Sequence, residues 1–173
     1  MMETKKKSSA LQVAVIAILT AVVVVFTMVV KIPTARGYLN LSDVAILFIA
    51  LTFGPWTAFL TAGLGAALAD LLSGYAQWAP VSFVCHGFEG LFVALIIRGD
   101  TSSWLRKIFA YLAAVVMVVG GYFLLSGLFI AGFGVAAAEI PGNFGQVTVG
   151  FLLGLAVSLA VAKAYPPVRS LSW

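Results

Sequence analysis

SDVAILFIALTFGP, residues 42–55, is the stretch on which the fold turns. It offers about 13 mostly apolar residues before Gly54-Pro55 end it, fewer than the roughly 20 that a helix needs to cross a bilayer. By length alone it is nearer to a re-entrant or buried segment than to a span. The charges on either side argue otherwise. If residues 42–54 cross, the chain has six spans, approximately 9–30, 42–54, 56–72, 80–98, 105–131 and 143–164. With a cytoplasmic N-terminus, Lys5 to Lys7, the group Arg98, Arg106 and Lys107, and the pair Lys163 and Arg169 then all face the cytoplasm, as the positive-inside bias expects. If they do not cross, the middle and last groups are translocated. The sequence therefore predicts an all-α membrane protein, a single domain over residues 1–173. It is a compact bundle of six transmembrane helices with both termini cytoplasmic and the loops 31–42, 73–79 and 132–142 outside.

The composition supports this outward from that stretch. Hydrophobic residues are 62% of the 173 and charged residues 9%, far from the balance of a soluble domain. Hydrocarbon leaves backbone N–H and C=O groups without partners, so spanning segments are helices or closed barrels. The long apolar runs lack the period-2 alternation of a barrel. The Lys5 to Lys7 group followed by an apolar run superficially resembles a signal peptide, but no convincing cleavage site precedes Lys31, so the run reads as a retained first span. The Lys and Arg residues flank spans, where they set orientation and meet anionic lipid; they imply no nucleic-acid partner. Lone Cys85 excludes an internal disulfide. The expected location is a membrane, crossed several times.

Several motifs are absent. There is no G-x-x-x-x-G-K-[ST] loop, so ATP hydrolysis of the Walker kind is not expected of this chain. H-E-x-x-H, G-x-S-x-G and C-x-x-C are missing too, and a single histidine gives hydrolytic or metal chemistry little to work with. No catalytic residue, cofactor or metal site is expected.

Ionisable groups inside a membrane are costly and mark function by default. His86 and Glu89 fall within the fourth span; Asp43, Asp70 and Glu139 fall near the external ends. Ser82, His86, Glu89 and Val93 are spaced by four, three and four, one face of a helix. Gly87 and Gly90 beside them permit close approach of a ligand or a neighbouring helix. The pair is either a self-satisfied buried contact or a ligand-facing patch. Asn143 is a candidate helix N-cap at the start of the sixth span, but capping does not explain Gln146, one turn deeper on the same face, which favours a lined cavity. Tyr38, Tyr75 and Trp78 suit membrane-interface anchors. Set beside Asn40 and Gln77, they also suit a flat heterocycle, aromatic faces stacking on the ring while amides and carboxylates bond its edge. Small residues recur at helix-contact spacing: Ala17 and Ala21, Ala62 and Ala66, Gly150 and Gly154.

Taken together, Lys31-Ile-Pro, Gly37-Tyr-Leu-Asn-Leu-Ser-Asp43, Ala69-Asp-Leu-Leu-Ser-Gly-Tyr75, Trp78-Ala-Pro80, Gly87-Phe-Glu-Gly90 and Glu139-Ile-Pro-Gly-Asn143 resemble the S components of energy-coupling-factor (ECF) vitamin importers, in the group of riboflavin-, hydroxymethylpyrimidine- and pyridoxine-type subunits. The resemblance covers nearly the whole chain. It implies a subunit that captures a water-soluble vitamin from outside and docks on a membrane scaffold bearing two ATPase subunits. It favours pyridoxine or hydroxymethylpyrimidine slightly, and leaves riboflavin open. The expected substrate-binding residues are Tyr38, Asn40, Asp70, Tyr75, Gln77, Trp78, His86, Glu89, Glu139, Asn143 and Gln146. The docking stripe implied is the A-x-x-x-A pair Ala17 and Ala21, with Ala10 and Ala14 repeating the spacing one step earlier. Where the family commonly carries a lysine before its glycine-flanked glutamate, this chain has His86, which changes the charge on that face. The alternative reading is a proton-coupled secondary transporter or exporter using Glu89 or Asp70.

Overall fold

The computed structural model describes residues 9–34, 37–98 and 102–172, apart from the side chains of 169 and 170. Lys5 to Lys7, Arg36 and the Arg169 side chain lie outside the described residues.

The chain folds as a helical bundle: α1 (Ser9–Val29), α2 (Ser42–Phe53), α3 (Pro55–Leu72), α4 (Ala79–Ile97), α5 (Trp104–Val115), a π-helical turn (Val116–Gly120), α6 (Gly121–Phe129) and α7 (Phe133–Ala164), closed by a 3₁₀ turn at Pro166–Leu171. Between α1 and α2 a two-residue hairpin pairs β1 (Ile32–Pro33) antiparallel with β2 (Tyr38–Leu39). Among the described residues, α1, α3, α4, the run Trp104–Phe129 and α7 are long and apolar enough to cross a membrane; the 12-residue α2 is shorter. Leu11, Ile18 and Val25 on α1, Leu60, Leu64 and Leu68 on α3, Phe92 and Leu95 on α4 and Leu152 on α7 are exposed. A belt of that extent is foreign to a soluble monomer and is the lipid-facing surface of a membrane bundle.

Small residues fix the helix contacts. A Cβ placed on Gly150 would stand 2.2 Å from Asp43 Cβ, and one on Gly154 would stand 2.7 Å from Leu47 Cβ. The contact advances by four on both helices, so α2 and α7 run parallel with backbones nearly touching. Gly87 and Gly90 of α4 lie against Phe59 and Ala58, so the space they leave is taken by α3; Gly65 of α3 receives Val23 of α1. Ala62 and Ala66 are likewise buried, whereas Ala17 and Ala21 are exposed on α1. The apolar core gathers Leu19, Val23, Ile46, Leu47, Ile49, Phe53, Val93, Ile97, Val118 and Phe151.

Three expectations are corrected. The sixth span does not begin at residue 143: α7 starts at Phe133 behind Gly132, whose φ of 78° suits glycine, and absorbs most of the expected loop 132–142. Pro141 lies inside that helix. It removes one backbone hydrogen bond without stopping the helix, because the preceding Val135-Ala-Ala-Ala-Glu-Ile140 is favourable helix sequence. Asn143 is accordingly mid-helix and not an N-cap. Asp43, expected near an external end, is carried deep instead, since α2 begins level with Gly150, halfway along α7.

Candidate functional site

Above the first turn of α2 no helix continues, and the room beside α7 is taken by the β1–β2 hairpin and a cavity. Its lining comes from six elements: Thr27 of α1, Thr34, Gly37, Tyr38 and Asn40 of the hairpin region, Ala66 and Asp70 of α3, Trp78, Ser82 and His86 in and just before α4, Tyr122 and Ser126 of α6, and Glu139, Asn143 and Gln146 of α7. Of the residues expected from sequence, Tyr38, Asn40, Asp70, Trp78, His86, Glu139, Asn143 and Gln146 therefore converge here. Tyr75, Gln77 and Glu89 do not line it. Tyr75 packs its ring on Tyr38 at 5.1 Å between centroids, Gln77 is exposed, and Glu89 is buried behind His86.

Two hydrogen-bonded chains hold the walls. On one side Asp70 accepts from Tyr38 Oη at 2.7 Å and from Ser82 Oγ at 2.5 Å, and Ser82 in turn accepts from Tyr122 Oη at 2.7 Å. Tyr38 is partly buried, and its hydroxyl is committed as a donor to Asp70. Lys31 reaches Ser73 and lies 4.9 Å over the Tyr38 ring, bracing the hairpin from outside. On the other side Gln146 accepts from the Asn40 backbone N–H at 2.9 Å and donates to Asp43 Oδ2 at 2.7 Å, while Asn40 Oδ1 accepts from the Ser42 N–H opening α2 at 2.7 Å. The amide of Gln146 thus ties the hairpin, α2 and α7 together, and its orientation follows from a donor on one side and a carboxylate on the other.

Beneath these walls His86 Nδ1 lies 2.8 Å from Glu89 Oε2 and 3.7 Å from Asp43 Oδ1. All three residues are at most 3% exposed. The four-residue face read on α4 is inward as expected, with Ser82, His86, Glu89 and Val93 all buried. The Tyr122 ring stands edge-on to His86 at 5.7 Å and tilted to Trp78 at 6.1 Å, so aromatic surface borders the imidazole. Among the described residues the lining carries the carboxylates of Asp70 and Glu139 and no lysine or arginine.

Tyr122 and Ser126 were not anticipated. Ala110, Ala114, Val118, Tyr122 and Ser126 form a strict every-fourth row in the sequence. On a regular α-helix such a row drifts by about 40° per step, about 160° over four steps, which would carry Tyr122 and Ser126 off the inner face. The wide π turn at Val116–Gly120 takes up this drift, and Ala110, Ala114, Val118 and Ser126 are all buried.

Comparison with known proteins bears on the chain as a whole. The family model described as ECF-type riboflavin transporter, S component, matches residues 7–163. The thiamine precursor transporter HmpT of Lactococcus lactis subsp. cremoris (strain MG1363) is 32% identical over 130 residues, which cover 75% of this chain and 73% of HmpT. An uncharacterized protein of Pyrococcus woesei is 33% identical over 148 residues, 84% of this chain and 98% of its own. Among solved structures, the S component of a bacterial ECF transporter superposes with a TM-score of 0.70 at 23% identity, covering 91% of this chain and 98% of that one. FolT bound with folic acid superposes with a TM-score of 0.63 at 20% identity, covering 89% and 93%. At these identities the two structures speak for the fold.

Proposed function

The chain belongs to the S-component family of ECF-type riboflavin transporters, and on that premise we propose that it captures a small, planar, uncharged or protonated nitrogen heterocycle, of the hydroxymethylpyrimidine or pyridoxine kind, in the cavity between hairpin, α4, α6 and α7. The observation that carries this reading is the lining itself. Tyr38, Trp78 and Tyr122 offer ring faces, Asn143, Gln146 and His86 offer hydrogen bonds, and Asp70 and Glu139 add negative charge with no lysine or arginine among the described lining residues, Lys31 lying behind the Tyr38 ring and engaged with Ser73. Such a lining disfavours ligands bearing carboxylate or phosphate, because a buried anion needs a paired cation. The relationship to HmpT, a thiamine precursor transporter, supports the same direction. Riboflavin, uncharged but larger, remains the alternative substrate.

Ligand binding uses no chemistry of the chain's own. The hairpin and the N-terminal part of α7 close over the ligand, the loaded subunit engages a membrane scaffold through the exposed Ala17 and Ala21 stripe, and two partner ATPase subunits drive release inward. We read α2 as completing a sixth crossing together with the hairpin that enters from the cavity end. Arg98, Arg106, Lys107 and Lys163 then lie at the opposite, cytoplasmic end, since α4 runs from His86 toward Arg98 and α7 from Gln146 toward Lys163. That arrangement has both termini inside a prokaryotic cell membrane.

Mass spectrometry of small molecules that co-purify with the detergent-solubilised protein tests the assignment. An aminopyrimidine or pyridoxine-like compound supports it. A carboxylated or phosphorylated vitamin as the sole ligand overturns it.

A further inference from the structure

We propose that Asp43, His86 and Glu89 hold one divalent transition-metal ion, of the zinc or manganese class, at the floor of the cavity. Asp43 comes from α2, and His86 and Glu89 from successive turns of α4; each offers a ligand atom, and these atoms lie within 4.8 Å of one another. One imidazole nitrogen and two carboxylate oxygens form a mixed donor set suited to zinc or manganese, at bond lengths of about 2.0 to 2.2 Å that small side-chain shifts would reach.

The independent observation is Asp43 Oδ1. It is buried and no hydrogen-bond donor reaches it, its nearest charged neighbours being His86 Nδ1 at 3.7 Å and the carboxyl of Glu89, whereas the other oxygen of Asp43 is held by Gln146 Nε2 at 2.7 Å. A buried carboxylate oxygen left bare is costly. His86 cannot serve both acids, since Nδ1 carries a single hydrogen. Directed to Glu89 at 2.8 Å, that hydrogen leaves Asp43 Oδ1, 3.7 Å away, beyond a hydrogen bond. A cation with several coordination directions satisfies both oxygens at once; the other occupant that could do so is a proton shared between the two carboxyls, and the experiment separates the two. Gln146 supplies the kind of outer contact that orients a metal-binding carboxylate. His86 and Gln146 both border the cavity, which gives the ion a route in, and three protein ligands leave a position for water or for a heteroatom of an incoming ligand. The lone histidine argues against metal chemistry only while the sequence is read linearly; the parallel packing of α2 on α7 is what sets Asp43 beside it.

The test uses the full chain in lipid nanodiscs, purified without a polyhistidine tag, incubated separately with Zn²⁺, Mn²⁺ and Mg²⁺, desalted and assayed for metal by mass spectrometry. The expected result is about one equivalent of Zn²⁺ or Mn²⁺ and little Mg²⁺, falling at least tenfold in Asp43→Asn and Glu89→Gln. Wild type loaded with Co²⁺ gives a readout independent of variant folding: d–d absorption bands, and an X-ray absorption shell with one imidazole and oxygen scatterers. Wild type that keeps no metal overturns the proposal, as does metal retained undiminished in both variants. Wild type that binds no metal yet takes up protons on ligand binding would make the centre a proton-sharing carboxylate pair, which also overturns it. Vitamin binding is scored separately, so a failed metal site and a failed substrate assignment are distinguishable.

Discussion

The two halves of α7 do opposite things. From Val147 onward it is packing surface: Gly150 and Gly154 bring its backbone against Asp43 and Leu47 of α2, and Val147 and Phe151 enter the apolar core. Before that point, Glu139, Asn143 and Gln146 look across a cavity at a hairpin. The difference is the length of α2. Its 12 residues cover about 18 Å, so it fills the space beside one half of α7 and leaves the other half open. A bundle in lipid gains little from apolar burial between helices and depends on close backbone contact. The packed half concentrates such contacts, and the open half can therefore be spent on polar groups held by side-chain bonds.

That contrast can be broken most severely from the packed side. Gly150→Leu puts a branched side chain where even a Cβ would meet Asp43 at 2.2 Å. The expected cost is at or above the upper end of the about 1 to 3 kcal/mol typical of overpacking, and ligand binding is lost with the fold. Fluorescence-detected size exclusion and thermal unfolding check this; an unchanged melting profile would mean that α2 and α7 are not locked at that point.

Substitutions at the open end should spare the fold and touch binding. Glu89→Gln, one layer behind the wall, removes the carboxylate 2.8 Å from His86 Nδ1 and acts on the ligand only through the position and charge of that imidazole, so a weakening of roughly tenfold, about 1.4 kcal/mol, is expected. Titration calorimetry measures it, and unchanged affinity would reduce Glu89 to bundle packing. Tyr122→Phe deletes only the hydroxyl that donates to Ser82. A neutral hydrogen bond is worth about 0.5 to 1.5 kcal/mol net, so a loss of roughly two- to tenfold is expected, with the ring still in place. A larger loss would show that the hydroxyl meets the ligand directly.

The smallest effect on binding belongs to the outer face of α1. Ala17→Trp combined with Ala21→Trp adds bulk to an exposed stripe away from the cavity. Binding by the isolated subunit should stay near wild type, while cellular uptake and co-purification with the scaffold are lost. If binding falls as well, the stripe packs inside the bundle.

The same contrast separates what was legible in the sequence from what was not. Helices α1, α3 and α4 were readable to within a residue or two, because apolar runs bounded by Pro, Gly and charge leave little choice. The inward face of α4 followed from spacing alone. The start of α7 did not, since Pro141-Gly142 looks like a break and only an otherwise favourable helix sequence carries the chain through it. Tyr122 and Ser126 were concealed by a π turn that alters the helical phase, although their every-fourth spacing from Ala110 was visible. The depth of Asp43 was not encoded locally at all; it depends on which glycine of α7 meets α2.

Titration of the purified protein in nanodiscs against a panel of water-soluble vitamins and precursors tests the central claim most directly. The account predicts micromolar or tighter binding of a small uncharged or protonated nitrogen heterocycle, little binding of carboxylated members such as folic acid, and no ATP hydrolysis by the chain alone. Failure of every heterocycle to bind at micromolar concentration, or preference for a carboxylated vitamin, would contradict it.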